Sequence, residues 1–216
     1  LAVINGADSG VIDVATGAPV FLFKNPVTGD IEGHAGKPNP DPLAVNKFLP
    51  DAAGAVDFVI HVDPTSGVVT LDQQRALQHP DGSNPDDPVQ LSGNAGVTLN
   101  DTVTDRDGDS KVGSLDISKA FTFRDDGPSV TVDSSKAPTL TVDETNLAID
   151  ASASFAPAFA PLYGADGAGT NVFSLAVING ADSGVIDVAT GAPVFLFKNP
   201  VTGDIEGHAG KPNPDP

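Results

Sequence analysis

Apolar and polar residues alternate along much of this chain with the period of two that marks a half-buried β-strand. Residues 56–62, VDFVIHV, place Val56, Phe58, Ile60 and Val62 on one face. DPTSG then turns the chain, and residues 68–71 (VVTL) return, which predicts a hairpin. Residues 20–24 (VFLFK), the turn NPVTGD and residues 31–34 predict a second hairpin. Residues 97–104, the loop DRDGDS and residues 112–117 predict a third. Short strands are expected at 121–124, 130–132 and 140–142. The one stretch with helical character is 71–78, LDQQRALQ, closed by His79-Pro80. Many short strands separated by turn signals predict an all-β sandwich, Ig-like or related, or a barrel.

A second pattern lies above the strands. Residues 1–42 recur without a change at 175–216, a period of 174 residues. Fixed-period self-similarity marks repeat architectures. This period is far longer than a solenoid repeat, so each unit is expected to be a domain in tandem with its neighbours. Pro- and Asx-rich loops fall at 37–42 and 81–88. The stretch 125–138, DDGPSVTVDSSKAP, most resembles a junction between units. The expected organisation is a β-sandwich repeat lacking its N-terminal part at 1–128, a linker at 129–138, and the N-terminal part of the next repeat at 139–216. Two arrangements complete a unit. Residues 129–174 fold back onto 1–128, or 139–216 of one molecule joins 43–128 of the next by strand exchange. A third possibility puts the boundary near residues 1 and 175.

Composition narrows the partners. Eleven Lys and Arg stand against 29 Asp and Glu, a net charge of −18. Nucleic-acid binders need a basic face, so nucleic acid is not expected as a partner. No apolar run reaches the length of a membrane-spanning helix, so membrane insertion is not expected. Such charge opposes compaction unless cations bind. The chain has no Cys, Met or Trp and one Tyr, Tyr163, so no disulfide helps to hold it. Eleven Phe, with many Val, Leu and Ile, suffice for a core.

The acids are clustered. Asp105, Asp107 and Asp109 sit at i, i+2 and i+4 in one loop, where they repel one another unless a cation lies between them. Hard cations such as Ca²⁺ take six to eight oxygen ligands. The spacing resembles the start of an EF-hand loop, with Asp116 at its twelfth place. However, Ser110 stands where that loop needs Gly and the flanks read as strands, so the expectation is a calcium-binding β-hairpin loop. Asp125-Asp126 and Asp143-Glu144 flank the junction and Asp133 lies inside it, placed to share ions that stiffen it. Asp81, Asn84, Asp86 and Asp87 read as turn residues. The four dispersed His and the absence of Cys give a zinc site no support. No nucleophile elbow, P-loop or dinucleotide fingerprint occurs, and sugar-stacking aromatics are scarce, so an enzyme is not expected.

Five segments carry a resemblance: TVDETNL at 141–147, GVIDVATG at 10–17, GVVTLDQQRALQHP at 67–80, TDRDGDS at 104–110 and FRDDGPS at 123–129. In their order they resemble the large repeat of giant bacterial RTX adhesins exported by type I secretion. The resemblance implies a calcium-bound β-sandwich extender that holds a terminal binding region away from the cell. It makes Asp105, Asp107, Asp109, Asp125, Asp126, Asp143 and Glu144 the calcium candidates. It also implies an extracellular place on the bacterial cell surface, neighbouring repeats as partners, a role in adhesion or biofilm formation, and a unit that begins near Thr139. The glycine-rich nonapeptide of the RTX roll is absent from this chain. The competing expectation is a module that itself binds a glycan or surface.

Overall fold

The structure, a computed structural model, describes residues 1–210; the last six residues of the second 42-residue copy, within the expected 139–216 domain, lie outside the described residues. The chain divides into two compact units, Leu1–Ala168 and Gly169–Pro216. The first contains β1 (Ala7–Ile12), β2 (Pro19–Lys24), β3 (Ile31–Ala35), β4 (Lys37–Pro38), β5 (Phe48–Leu49), β6 (Val56–Val62) and β7 (Val69–Gln73). It continues with β8 (Pro88–Gln90), β9 (Thr98–Thr104), β10 (Ser110–Asp116), β11 (Thr122–Arg124), β12 (Ser129–Val132) and β13 (Phe159–Leu162). The second contains β14 (Ala181–Ile186), β15 (Pro193–Lys198) and β16 (Ile205–Ala209). All pairings between these strands are antiparallel, and the only helical pieces among the described residues are single 3₁₀ turns. The protein is an all-β antiparallel structure, as its alternation predicts.

In the first unit the main sheet runs β1-β2-β3-β6-β7. Its inner face supplies Val11, Val20, Leu22, Ile31, Phe58 and Ile60 to the core. The opposing layer is built from the β8–β11 pair and the chain that follows β8, contributing Leu91, Ala95, Val97, Phe121 and Phe123. The rings of Phe58 and Phe123 meet across the layers with centroids 5.0 Å apart. Burying each such large side chain contributes about 1.5–3 kcal/mol. A bulge in β1 at Gly10, whose φ is +81°, shifts the register between Asp8 and Ile12. The buried Ser9 hydroxyl there donates to Val20 O at 2.6 Å, so no polar atom of that side chain is stranded.

The hairpin predicted at 97–104 and 112–117 forms as β9 and β10, in register from Thr98–Asp116 to Thr104–Ser110. It is a separate ladder, anchored at its base where Ala2 and Thr98 exchange backbone bonds of 2.9 and 2.8 Å. Val103, Val112 and Leu115 on it are exposed.

Two local expectations are corrected. Residues 71–78 are not a helix. Leu71 pairs with Ile60 inside β7, the N–H groups of Gln74 and Arg75 both donate to Asp57 O, and Gln78 N–H donates to Ile12 O. Sheet partners thus take the donors that a short, marginal helix would have used. Residues 140–142 are not a strand: Leu140 and Val142 are exposed, and no ladder covers them. The strand expected at 130–132 does form, as Ser129–Val132, and pairs as β12 with β13 from Ser129–Leu162 to Val132–Phe159, so the first residues of the expected linker lie in a ladder.

The second unit repeats β1–β3 as the sheet β14-β15-β16. Ala181 faces Leu196 as Ala7 faces Leu22, with the same bulge and the same T-shaped Phe–His pair at 5.4 Å.

Candidate functional site

The most concentrated acidic chemistry sits at the tip of the β9–β10 hairpin. Residues 105–109 close the turn, with Gly108 at φ +103°, a conformation costly for any residue with a side chain. Asp105 N–H donates to Asp109 O at 2.9 Å, and the Asp105 carboxylate accepts from the N–H groups of Gly108 (3.1 Å) and Asp109 (2.9 Å). One oxygen from each of Asp105, Asp107 and Asp109 lies within 4.8 Å of the others, all exposed. The Asp105 carboxyl is held below its usual range, first by the Asp107 side chain and then by those backbone donors. Three carboxylates converging on one point could hold a metal ion. Because both flanks are strands, this is not an EF-hand.

The other acids singled out in the sequence are spread out. Among the described residues Asp105, Asp107 and Asp109 are the group of three or more that converges in this way. Asp125 N–H donates to Asp87 O at 3.1 Å, and Asp125 accepts from Asp126 N–H at 2.9 Å. Asp126 borders an open cleft of about 540 Å³ together with Arg75, Arg124 and Asp166. Asp133 caps a 3₁₀ turn, accepting from Ser135 N–H and Oγ, and pairs with Lys136 at 3.5 Å. Asp143 caps the next turn through Thr145, and Glu144 is its first residue. Asp133 and Asp143 are both held below the ordinary carboxylate range by those capping bonds. In the 81–88 loop, Asp81 caps Ser83 while Asp86 pairs with Arg124 at 2.8 Å, as turn residues do.

Sequence reading missed one cluster altogether. Asp13 and Asp57 are fully buried, and Arg75 bridges them. Its Nη2 donates to both oxygens of Asp13 at 3.0 Å, and its Nε reaches Asp57 at 3.0 Å. Burial pushes Asp13 up, but the bonds from Arg75 and Thr16 outweigh it and hold that carboxyl low. Asp57 goes the other way. Burial, then the nearby Asp13 charge, raises it to about 7, and its Oδ2 has no hydrogen-bond partner. One guanidinium between two buried carboxylates leaves one negative charge too many, and Asp57 is the carboxyl whose ionisation that excess opposes. No spacing rule could have found this triad, since Arg75 lies 62 residues from Asp13 and 18 from Asp57.

Fold and site together define a class: an all-β domain, repeated in tandem, with an acid-tipped hairpin. A profile described as a domain of unknown function, DUF5801, matches residues 1–118 and again 139–215. The chain belongs to that family. No curated protein and no solved structure matches it.

Proposed function

We propose that this chain is a calcium-stabilised extender module of a large secreted bacterial surface adhesin, in which such repeats project a terminal binding region for adhesion or biofilm formation. The observation that carries the reading is the unchanged recurrence of residues 1–42 at 175–216, folded both times into the same three paired strands. Near-identical units in series serve length, and a length-giving unit must be stiff. The break between the two family matches, 119–138, supports a unit that begins near Thr139. The resemblance of five segments to RTX adhesin repeats supports export by type I secretion and an extracellular place.

Calcium is the ion that fits best at Asp105, Asp107 and Asp109. The ligands are all oxygens, and the exposed loop can complete its coordination with water and carbonyls. A chain of net charge −18 folds against self-repulsion until cations neutralise it. Asp125, Asp126, Asp133, Asp143 and Glu144 lie around the junction, where an ion shared with a neighbouring repeat would draw ligands from both.

Thermal melting by circular dichroism, in EDTA and in calcium, is the test. Extracellular calcium modules bind with dissociation constants of about 10⁻⁴–10⁻³ M. At 100 times such a constant one site adds about 2.7 kcal/mol. A melting temperature indifferent to calcium, together with a maximum dimension in small-angle scattering that ignores EDTA, would refute the reading. Magnesium is expected to substitute poorly, because it demands a smaller octahedral site.

A further inference from the structure

The two 42-residue copies differ in what covers them. In the first, β3 is an inner strand: Ile31, Glu32, Gly33 and His34 pair with Ile60, Val59, Phe58 and Val56 of β6. In the second, β16 is the edge of its sheet, so Ile205–Ala209 offer a row of backbone groups with no strand beyond them among the described residues. Val11 is 1% exposed and its counterpart Val185 is 57% exposed.

Two glycines show the shape of the missing partner. A Cβ added at Gly33 would lie 2.5 Å from the Phe58 ring, so that glycine exists to seat a phenylalanine. At Gly207 the same Cβ would meet only Val194 Cγ1, at 2.9 Å. Gly10 backs against Ser92 at 2.8 Å, whereas Gly184 has nothing within 4 Å. A charge is also left waiting. Asp13 holds Thr16 and the Arg75 guanidinium, while Asp187 keeps Thr190 but, among the described residues, receives no guanidinium.

We propose that the open edge and face of β14-β15-β16 are a docking surface for a further copy of the 43–124 segment, the segment that follows residues 1–42 in the first unit. It seats as that segment seats in the first unit: β6 along β16, Phe58 over Gly207, and Arg75 on Asp187. The partner is specified by ladder, shape and charge at once, and each requirement is read from an occupied copy of the same surface. The inference rests on the tandem-repeat reading and adds where a repeat accepts its complement and which residues recognise it. Unpaired edges invite pairing, and tethering makes the neighbouring segment the preferred occupant.

The chain has no cysteine, so a single introduced thiol is a unique reporter. Val185→Cys and, separately, Val11→Cys are placed in the 216-residue chain and in the same chain lengthened by another copy of 43–128. In the shorter chain Cys at 185 is expected to react with a thiol reagent as an open residue, and Cys at 11 slowly. In the longer chain labelling at 185 is expected to slow on the order of 100-fold, towards that at 11, because reaction then requires cooperative opening. Gly207→Val in the longer chain is expected to restore fast labelling at 185 while leaving 11 protected. Phe58→Ala made only in the appended copy is expected to do the same without touching the presented sheet. Unchanged labelling at 185 on lengthening, or protection that survives both variants, would overturn the proposal. Labelling reads docking without calcium or overall dimensions, so its failure is distinguishable from failure of the extender reading.

Discussion

Residues 1–42 and 175–216 are the same sequence in two situations. Both copies make the bulge, and both place the Ser hydroxyl on a Val carbonyl, at 2.6 Å for Ser9 and 2.7 Å for Ser183. Both set a Lys on the carbonyl of the first residue, Lys24 on Leu1 and Lys198 on Leu175. Yet Val20 and Leu22 are core in one, while Val194 and Leu196 are only half-buried in the other. Strand pairing, turns and caps are therefore local properties of the segment, and burial is conferred from outside it, by 43–124. The same residue has two energetic values depending on whether that half is present.

Substitutions in the covered and the uncovered surroundings sharpen this contrast. The largest difference is expected at the buried triad. Arg75→Ala strands two buried carboxylates and should cost about 3–5 kcal/mol. Asp187→Ala, an exposed counterpart of the same network, should stay within about 0.5 kcal/mol. Urea unfolding followed by circular dichroism measures both, and equal losses would break the comparison. Next is the core itself: Leu22→Ala should cost about 2–5 kcal/mol. Leu196→Ala should cost clearly less, because no opposing layer is left with a cavity.

A pH effect of intermediate size is expected in the first unit alone. Asp57 is raised in the folded state to about 7 from 3.8. A raised carboxyl favours the folded state fully below the unfolded value, and that contribution is lost as pH rises through the folded one. Stability from this group should therefore fall between about pH 4 and pH 7. Asp57→Asn should remove that part of the slope and leave the slopes from depressed carboxyls such as Asp13, which run the opposite way. Comparing the pH dependence of melting for the two proteins is the check.

Without calcium, the smallest effect is on the hairpin tip. Asp107→Ala and Asp81→Ala should each change stability in EDTA by no more than about 0.5 kcal/mol, since both are exposed. With calcium, only Asp107→Ala should lose the ion-dependent rise in melting temperature. Equal loss in the two variants would mean that the ion sits elsewhere.

The sequence made the hairpins visible because their information is local. Alternation in 56–62 and the DPTSG turn need no knowledge of the rest of the fold, and the three aspartates of 105–109 come together because the turn itself brings them together. What stayed hidden depends on distant partners. LDQQRALQ has helical spacing, but Leu71 is claimed by Ile60, Arg75 by Asp13 and Asp57, and Leu77 by the core and by a bridge to Asp13. Leu140 and Val142 alternate like a strand but have no strand beside them. Gly33 shows no purpose within its own strand, and its role becomes visible only with Phe58 packed against it.

The β12–β13 pair has a mechanical consequence. Ser129 faces Leu162, so the chain enters and leaves this small ladder at the same end, with the intervening excursion hanging from the other. Tension applied along the chain therefore loads one rung at a time instead of shearing all rungs together. Each residue freed lengthens the tether by roughly 3.3–3.6 Å. The main sheet of the first unit, in contrast, cannot yield without exposing its core. A pull would be met first by a short zip that pays out slack gradually, and only afterwards by a sandwich that resists.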